Sequence, residues 1–270
     1  MTVQFDAAVG RVRLDPDTFE ALVDLGAKAS DDTRSATHRA DTGGPEGPVA
    51  ELVAAGVVVD GRPHDVLVPG LAAVTRPLAR LETVVASRQG VLVHQGWMSL
   101  LSAVLADVGD GSYDFAGVAT EFVPTTIARL VRLRPRPRLE PGSVVVTPDL
   151  LDGLIDPDDE RRARAADELA AALDPHWREV AELVRSGAWC FWSADVLWAP
   201  PDRPVTSDAD LVSRRVSALD TTAGLLALEA DRDGSTAGGL ALVPTTPSDV
   251  WFLLSGILPS DSELGADAES

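Results

Sequence analysis

Val123-Pro124-Thr125-Thr126 and Val243-Pro244-Thr245-Thr246 are one tetrapeptide at two places in the chain, and this repetition decides the predicted fold. Each copy follows an apolar run, and each run follows a turn tripeptide, Asp110-Gly111-Ser112 in the first copy and Asp233-Gly234-Ser235 in the second. A turn, an apolar run and a proline in this order predict a hairpin, a strand and the start of a helix. We expect Thr125 to cap the first of these helices.

The similarity extends to the beginning of each half of the chain. Asp15-Pro16-Asp17 follows an extended apolar run, and Thr147-Pro148-Asp149 follows another. Proline beside an acidic residue is a helix-start signal. Three matched features in the same order indicate an internal duplication. Because one half alone would leave sheet edges and an apolar face exposed, we expect the two halves to join in one sheet.

The predicted fold class is therefore α+β, a central antiparallel sheet built from two pseudo-two-fold related halves and flanked by helical bundles. The first half covers residues 1–139, with a helical part at 12–80, strands at 81–122 and a helix at 124–134. The second half covers residues 140–259, with helices at 147–187, strands at 188–243 and a helix at 247–258. We expect one structural domain and a disordered acidic tail at 260–270.

Composition limits the classes of function. The chain has 270 residues, 45% of them hydrophobic, and its apolar runs are too short to span a bilayer. No basic segment followed by an apolar one opens the chain, so we expect no signal peptide and a cytoplasmic location. A net charge of −19 opposes nucleic-acid binding. The abundance of alanine, valine, leucine and aspartate, with arginine in place of lysine, is typical of an actinobacterial genome.

The sequence contains no recognisable catalytic or cofactor motif. The histidines His38, His64, His94 and His176 share no metal-binding spacing, and we interpret each of them as structural. Neither a phosphate-binding glycine loop nor a Gly-x-Ser-x-Gly elbow occurs. Cys190 is the single cysteine, which excludes an intrachain disulfide and a multi-cysteine metal site. We predict no enzymatic activity, no cofactor and no metal site.

Tryptophan is concentrated in the second half of the chain. Within residues 188–198 the pattern alternates, so the side chains of Trp192 and Trp198 lie on one face and that of Trp189 on the other. Core packing is the default interpretation, but tryptophan is also enriched at binding hot spots. The predicted partner-binding residues are Trp189, Trp192, Trp198, Trp251 and Phe252.

A second cluster is basic, in an otherwise acidic chain. Its alternating prolines predict an extended linker, because proline cannot continue a helix. One interpretation is a solvated helix face and linker; the other is a docking patch for an acidic partner. The members of the cluster are Arg129, Arg132, Arg134, Arg136 and Arg138.

Residues 52–64, Leu-Val-Ala-Ala-Gly-Val-Val-Val-Asp-Gly-Arg-Pro-His, read as a helix, a glycine turn and an Asp-Gly ribbon. Leu71, Pro77 and Leu78 follow in a second helix. With the later strands and the halved architecture, this order resembles the EspG family, cytosolic chaperones of actinobacterial type VII (ESX) secretion. The resemblance implies a chaperone or adaptor that binds secreted helical proteins, PE–PPE-like or WXG100-like, and keeps them soluble before export.

The resemblance also implies a binding region, since that family binds through its sheet and its C-terminal helical region. In this chain the strand at 188–198 and the helix at 247–258 occupy those places. Two other functions stay open. A winged-helix DNA-binding regulator would use 57–62 as its wing and 65–80 as its recognition helix. A hydrolase would need acids to converge on a histidine, for which His94 is the candidate.

Overall fold

The computed structural model describes residues 2–32, 47–99, 101–202, 205–207, 210–230 and 239–265. Within these ranges the chain is α+β, as predicted. The helices are α1 Pro16–Asp32, α2 Pro48–Ala54, α3 Val68–Thr75, α4 Val123–Leu130, α5 Pro148–Leu154, α6 Asp159–Ala172, α7 Arg178–Ser186 and α8 Pro247–Ser255. The strands are β1 Gln4–Asp6, β2 Arg11–Leu14, β3 Val58–Val59, β4 Arg62–Pro63, β5 Ala79–Ser87, β6 Gly90–Met98, β7 Ser102–Asp107, β8 Tyr113–Val118, β9 Val144–Val146, β10 Trp189–Trp198, β11 Val212–Thr221, β12 Gly224–Ala230 and β13 Leu240–Thr245.

Eleven strands form one sheet in the order β1-β2-β8-β7-β6-β5-β10-β11-β12-β13-β9. Neighbouring strands are antiparallel throughout, and β3 and β4 form a separate ribbon. At the centre, β5 pairs with β10 from Ala79 opposite Trp198 to Ser87 opposite Cys190. Outward from this seam each half has four successive strands and then the strand that precedes its first helix, β2 or β9, and β1 adds one more strand beyond β2. The two halves therefore share one continuous ladder.

The two faces of the sheet are covered differently. We call one the two-helix face, because α4 and α8 lie on it, with Ile127 and Leu254 packed in one core cluster with Trp192. The other is the six-helix face, with α1–α3 over the first half and α5–α7 over the second. Leu22 packs in the core under α1–α3 and Leu169 in the core under α5–α7, and both side chains are fully buried. Apolar burial on both faces supplies the main stabilisation of the sheet.

A buried arginine joins the second-half helices to the first-half strands. Arg162 of α6 is 1% exposed, and its guanidinium donates to the carbonyl oxygens of Ser87 at 2.8 Å and Asp156 at 2.6 Å. A third bond reaches the carbonyl of Arg88 at 3.3 Å. A buried guanidinium is tolerated only when its donors are satisfied. The β5–β6 turn is therefore fixed against α5 and α6.

The predicted helix starts of the two halves are confirmed. Pro16 follows β2 and opens α1, and Pro148 follows β9 and opens α5. Asp15 accepts a hydrogen bond from the Thr18 amide at 2.9 Å, and Thr147 accepts one from the Leu150 amide at 3.2 Å. Each side chain satisfies one of the free amides at a helix N-terminus.

The repeated tetrapeptide, in contrast, adopts two different structures. Val123-Pro124-Thr125-Thr126 forms the first turn of α4, whereas Val243-Pro244-Thr245 completes β13 and Thr246 caps α8. Both copies lie at the start of a helix, as predicted, but α4 begins with its copy whereas α8 begins directly after its copy, so the predicted match of positions is wrong. Thr125 is not a cap, because the N-cap position of α4 is Phe122 and no side chain caps it. Tertiary pairing overrides a local match of four residues.

Of the two copies of the preceding turn tripeptide, the first lies within the described residues. Asp110-Gly111-Ser112 joins β7 to β8, and Asp110 accepts from the Ser112 amide at 3.1 Å. Gly111 has a φ of 80°, which favours glycine. The hairpin prediction is confirmed there. Asp233-Gly234-Ser235 lies outside the described residues.

Helix α1 continues through Gly26, where a Cβ would lie 3.0 Å from Cβ of Leu71, so the glycine permits close packing against α3. One predicted helix boundary is wrong. The helix predicted at 65–80 is shorter, Val68–Thr75. The Leu78 amide donates to the Met98 carbonyl at 2.7 Å, so strand pairing begins where the helix was expected to continue.

The beginning of the acidic tail is structured rather than disordered. Arg214 of β11 donates to the Leu258 carbonyl at 2.7 Å and pairs with Glu263. The amide of Ser260 donates to Glu263, and this bond is the main reason that the pKa of Glu263 falls to about 2. The disorder prediction is therefore wrong for 260–265. Residues 266–270 lie outside the described residues.

Candidate functional site

Three of the five predicted partner-binding residues are buried in β10. Trp192 is 0% exposed, Trp198 2% and Trp189 5%. Alternation places Trp192 and Trp198 beneath α4 and α8, and Trp189 among the helices of the six-helix face. The core interpretation accounts for these side chains, and a partner cannot reach them in this fold.

The other two predicted residues are exposed on α8. Trp251 is 42% exposed, Phe252 79% and Leu253 46%. The same helix buries Val250 and Leu254 in the core of the two-helix face. Helix α8 is thus apolar on both its inner and its outer side, although an exposed helix normally has a polar outer face. We call Trp251, Phe252 and Leu253 the α8 ridge.

The predicted arginine cluster separates into one structural and four exposed side chains. Arg136 binds Asp220 through two hydrogen bonds of 2.6 and 2.9 Å, and the Asp220 side chain is only 7% exposed. The exposed members are Arg129, Arg132, Arg134 and Arg138. We call residues 129–138 the arginine segment. It comprises the end of α4 and the extended linker, which is confirmed to lack helix and strand.

The α8 ridge and the arginine segment lie on the same face of the sheet. Helices α4 and α8 contact each other on the two-helix face. Arg136, just after α4, binds Asp220, whose neighbour Thr221 pairs with Gly224 at the start of β12. The next residue of β12, Leu225, pairs with Thr245, just before α8. Helix α4 therefore ends, and α8 begins, at the same end of the sheet.

Polar side chains of β10 and β11 lie on the six-helix face of the sheet. Ser193 donates to Asp195 at 2.7 Å, and Ser217 donates to Ser193 at 3.0 Å. Arg215 pairs with Asp195 from the next strand. These contacts satisfy the hydroxyl groups. No described histidine or lysine bonds to either serine, so neither has the adjacent base that a nucleophilic hydroxyl requires.

His94 lacks the carboxylate contact that the hydrolase hypothesis requires. Its ring is 4% exposed, and Nδ1 accepts a hydrogen bond from the backbone amide of Asp107 at 3.0 Å. Burial lowers the pKa of His94, because the imidazolium ion would be desolvated, and the nearby Asp107 charge opposes the shift. A neutral, hydrogen-bonded histidine inside a sheet fits the structural interpretation.

The remaining candidate groups also have structural surroundings. His64 lies 5.2 Å from the Phe5 ring between centroids, and His176 binds Asp174 at 2.8 Å. Burial raises the pKa of Cys190 to about 12, so the thiol is protonated and unreactive at neutral pH. His38 lies outside the described residues. Among the described residues no three His, Cys, Asp or Glu side chains form a group that could hold a metal ion.

Helix α3 does not have the properties of a DNA-recognition helix. It is packed on the sheet through Leu71 and Ala73, and a Cβ on Gly70 would lie 3.3 Å from Cα of Gly117 in β8. Its eight residues contain no basic side chain. The ribbon of β3 and β4 is present as predicted, but the helix beside it is part of the core.

A shallow cleft beside α3 has a volume of about 210 Å³. Its lining is apolar apart from Ser102, and the hydroxyl groups of Ser102 and Thr120 share a hydrogen bond of 3.0 Å. No described acid or base points into this cleft, which is therefore a poor candidate for a catalytic centre.

In the part of the chain that the structure describes, no helix has the length and apolar character needed to cross a membrane.

Comparisons with known proteins do not add a relative. No family model matches the chain, and no curated protein matches it. The α8 ridge and the four exposed arginines of the arginine segment are two surface features of the described residues that have no structural role in the fold.

Proposed function

We propose that the protein is a non-enzymatic cytosolic chaperone or adaptor that binds an apolar helical segment of a secreted partner and keeps it soluble before export. The partner class, PE–PPE-like or WXG100-like proteins of a type VII secretion system, follows from the resemblance to the EspG family. The single observation that carries the proposal is the α8 ridge, in which Phe252 is 79% exposed.

Exposure of the α8 ridge to water is unfavourable. Burying one large apolar side chain contributes about 1.5–3 kcal/mol, so three neighbouring ones form a strong potential contact. Contiguous exposed apolar groups mark interaction sites in folded proteins. Trp251 and Phe252 are also rigid and lose little entropy when they are covered, which is a property of binding hot spots.

The surrounding charge supports a chaperone role. Acidic residues number 42 against 23 basic ones, and the net charge of −19 keeps the protein and any complex dispersed. A partner helix laid against the ridge would bury its own apolar stripe while the acidic body remains in water. Affinity would then come from apolar contact and solubility from charge.

The test is capture of partners from an actinobacterial cytosol by the purified chain, with identification by mass spectrometry. We expect small helical secreted proteins to be recovered, and to be lost with the Trp251→Ser/Phe252→Ser variant. The Val9→Ser/Val59→Ser variant is the matched control, because Val9 is 64% and Val59 53% exposed away from α8. Recovery that is unchanged by the ridge variant, or equally reduced by the control, would sink the proposal.

A companion variant separates binding from folding. Trp192→Ala removes a fully buried side chain and should cost about 3–5 kcal/mol of folding free energy. The ridge variant should leave the unfolding midpoint almost unchanged. If the ridge variant lost as much stability as Trp192→Ala, the ridge would be core rather than binding surface.

We also propose that the two halves descend from one duplicated unit and are related by a pseudo-two-fold axis between β5 and β10. The support is the strand order, which is equivalent outward from that seam as far as β2 on one side and β9 on the other, and the equivalent starts of α1 and α5. Sequence profiles built from relatives of each half should align β2 with β9 and β5 with β10. Profiles that fail to match these strands would contradict a common origin.

A further inference from the structure

The arginine segment is a concentration of positive charge in an acidic protein. Residues 122–139 contain five arginines and no acidic residue, in a chain whose net charge is −19. Some arginines elsewhere have acidic partners, for example Arg11 with Asp114 and Arg214 with Glu263. Such a basic patch in an acidic protein would attract anions to one position on the surface.

The exposed arginines of this segment lack internal partners. Arg129, Arg132, Arg134 and Arg138 form no ion pair or hydrogen bond through their side chains with any described residue. On the sheet, Asp220 is already bound by Arg136. On α8, Asp249 accepts from Thr246 in the helix cap. The four guanidinium groups are therefore available to a ligand.

The segment is held in a fixed shape. Pro135 and Pro137 restrict the backbone to extended conformations. Between them, Arg136 is fixed by its two bonds to Asp220. Beyond them, Leu139 packs so closely on Gly224 that a Cβ there would lie 2.4 Å from Cγ of Leu139. A segment ordered before binding loses less entropy when a ligand arrives.

The helix end that precedes the linker is also fixed, and at a cost. Arg132 has a φ of 54°, a left-handed conformation in which a residue other than glycine is disfavoured by about 1–2 kcal/mol. The amides of Arg132 and Leu133 donate to the carbonyls of Arg129 and Ala128 at 3.1 and 2.8 Å. These bonds form the usual glycine-type helix terminus, with an arginine at the glycine position.

The spacing of the charges selects the kind of anion. Arg134 and Arg138 are four residues apart in an extended segment, so their Cα atoms are separated by roughly 12 Å. A single phosphate group is too small to bridge that distance. A long nucleic acid would extend past the segment onto acidic surface and be repelled. Carboxylates spread along a peptide match both the spacing and the limited extent of the patch.

We propose that the arginine segment binds an acidic peptide segment of a protein partner, through the guanidinium groups of Arg129, Arg132, Arg134 and Arg138. The inference rests on charge and shape and does not require the α8 ridge. Charge-assisted bonds from arginine to carboxylate are the strongest hydrogen bonds that exposed protein surfaces make. Binding should be weak for one peptide alone and should decrease as salt is added.

The test measures binding of a short labelled glutamate-rich peptide by fluorescence anisotropy at low salt. Arg129→Gln/Arg134→Gln/Arg138→Gln should weaken binding about tenfold, equivalent to about 1.4 kcal/mol. Arg62→Gln/Arg164→Gln/Arg178→Gln is the matched control, because it removes the same charge from exposed arginines elsewhere and should change binding by less than about twofold.

Three outcomes would overturn the proposal. They are equal losses in the two triple variants, undiminished binding when glutamine replaces glutamate in the peptide, and tighter binding of a single-stranded oligonucleotide or inorganic phosphate. The Trp251→Ser/Phe252→Ser variant should bind the glutamate-rich peptide like the natural protein. Failure of this proposal is therefore distinguishable from failure of the chaperone proposal.

Discussion

Helices α4 and α8 lie side by side on the same face of the sheet, each after the last strand of its half, yet their outer surfaces differ. Inward, both present branched apolar side chains, Ile127 from α4 and Leu254 from α8, to one core cluster. Outward, α4 carries Arg129, whereas α8 carries Phe252. The inner faces are constrained by packing against the same sheet, and the outer faces are not. The difference supports the proposals that place partner binding on the outer faces.

The two helices also begin and end differently. Thr246 and Asp249 form a capping box at the start of α8, whereas no side chain caps α4. At the other end, α4 is followed by the buried pair of Arg136 with Asp220, and α8 by contacts of Arg214 with backbone carbonyls. Each of these contrasts predicts a measurable difference in stability.

The largest expected effect tests whether the inner faces are equivalent. Ile127→Ala and Leu254→Ala each remove a side chain with 0% exposure, and each should destabilise the fold by about 2–5 kcal/mol. Chemical denaturation measures both. A loss of less than about 1 kcal/mol in either variant would show that one helix is dispensable for the core and would break the comparison.

The second effect concerns the anchors after the two helices. Arg136→Met leaves the Asp220 carboxylate, 7% exposed, without its partner and should cost about 2–4 kcal/mol. Arg214→Met removes hydrogen bonds from a side chain that is 37% exposed and should cost about 1 kcal/mol. Denaturant midpoints of the two variants provide the measurement. The double variant Arg136→Met/Asp220→Asn should regain part of the loss, and a further loss would argue against an unpaired charge as the cause.

A smaller effect should distinguish the two helix starts. Thr246→Ala removes the cap of α8 and should destabilise the protein by about 1 kcal/mol. Thr125→Ala, at an exposed position of α4 that makes no cap, should change stability by less than about 0.5 kcal/mol. Thermal unfolding of both variants compares them directly. Equal effects would mean that the two copies of the tetrapeptide act alike despite their different positions.

The smallest expected effect is a gain in the stability of the fold. Arg132→Gly places glycine at a φ of 54° and should stabilise the fold by about 0.5–1 kcal/mol. The matched change Arg129→Gly, inside the helix, should instead cost about 1 kcal/mol. Denaturation in urea shows whether each variant gains or loses stability. A loss of stability with Arg132→Gly would show that the arginine side chain makes stabilising contacts that outweigh the backbone strain.

Local signals predicted most of the elements. Period-two alternation located β10 with both of its faces, and the prolines of residues 135 and 137 correctly marked a linker without helix or strand. Proline and acid at Pro16 and Pro148 marked two helix starts. The three-residue strand β1, Gln4–Asp6, was not predicted, because so short a segment has no periodicity and forms only by pairing with β2.

The candidate site was predicted less well, because exposure depends on what covers a residue. Trp192 and Trp251 are equally apolar in the sequence, but α4 and α8 cover the first and nothing described covers the second. Arg136 and Arg134 belong to one basic run, but only Arg136 lies within reach of Asp220, 84 residues away. Sequence patterning could identify the arginine cluster but could not divide it into an anchor and an exposed surface.

The sequence by itself determined the α+β class, the alternating strands, the capped starts of α1 and α5 and the concentration of five arginines in one segment without acidic residues. Each of these depends on neighbouring residues, whose spacing fixes local backbone preference and charge. The tertiary structure decided the order of the strands, the burial of the β10 tryptophans and the exposure of the α8 ridge. These depend on contacts between residues far apart in the chain, and one sequence carries no direct record of such contacts.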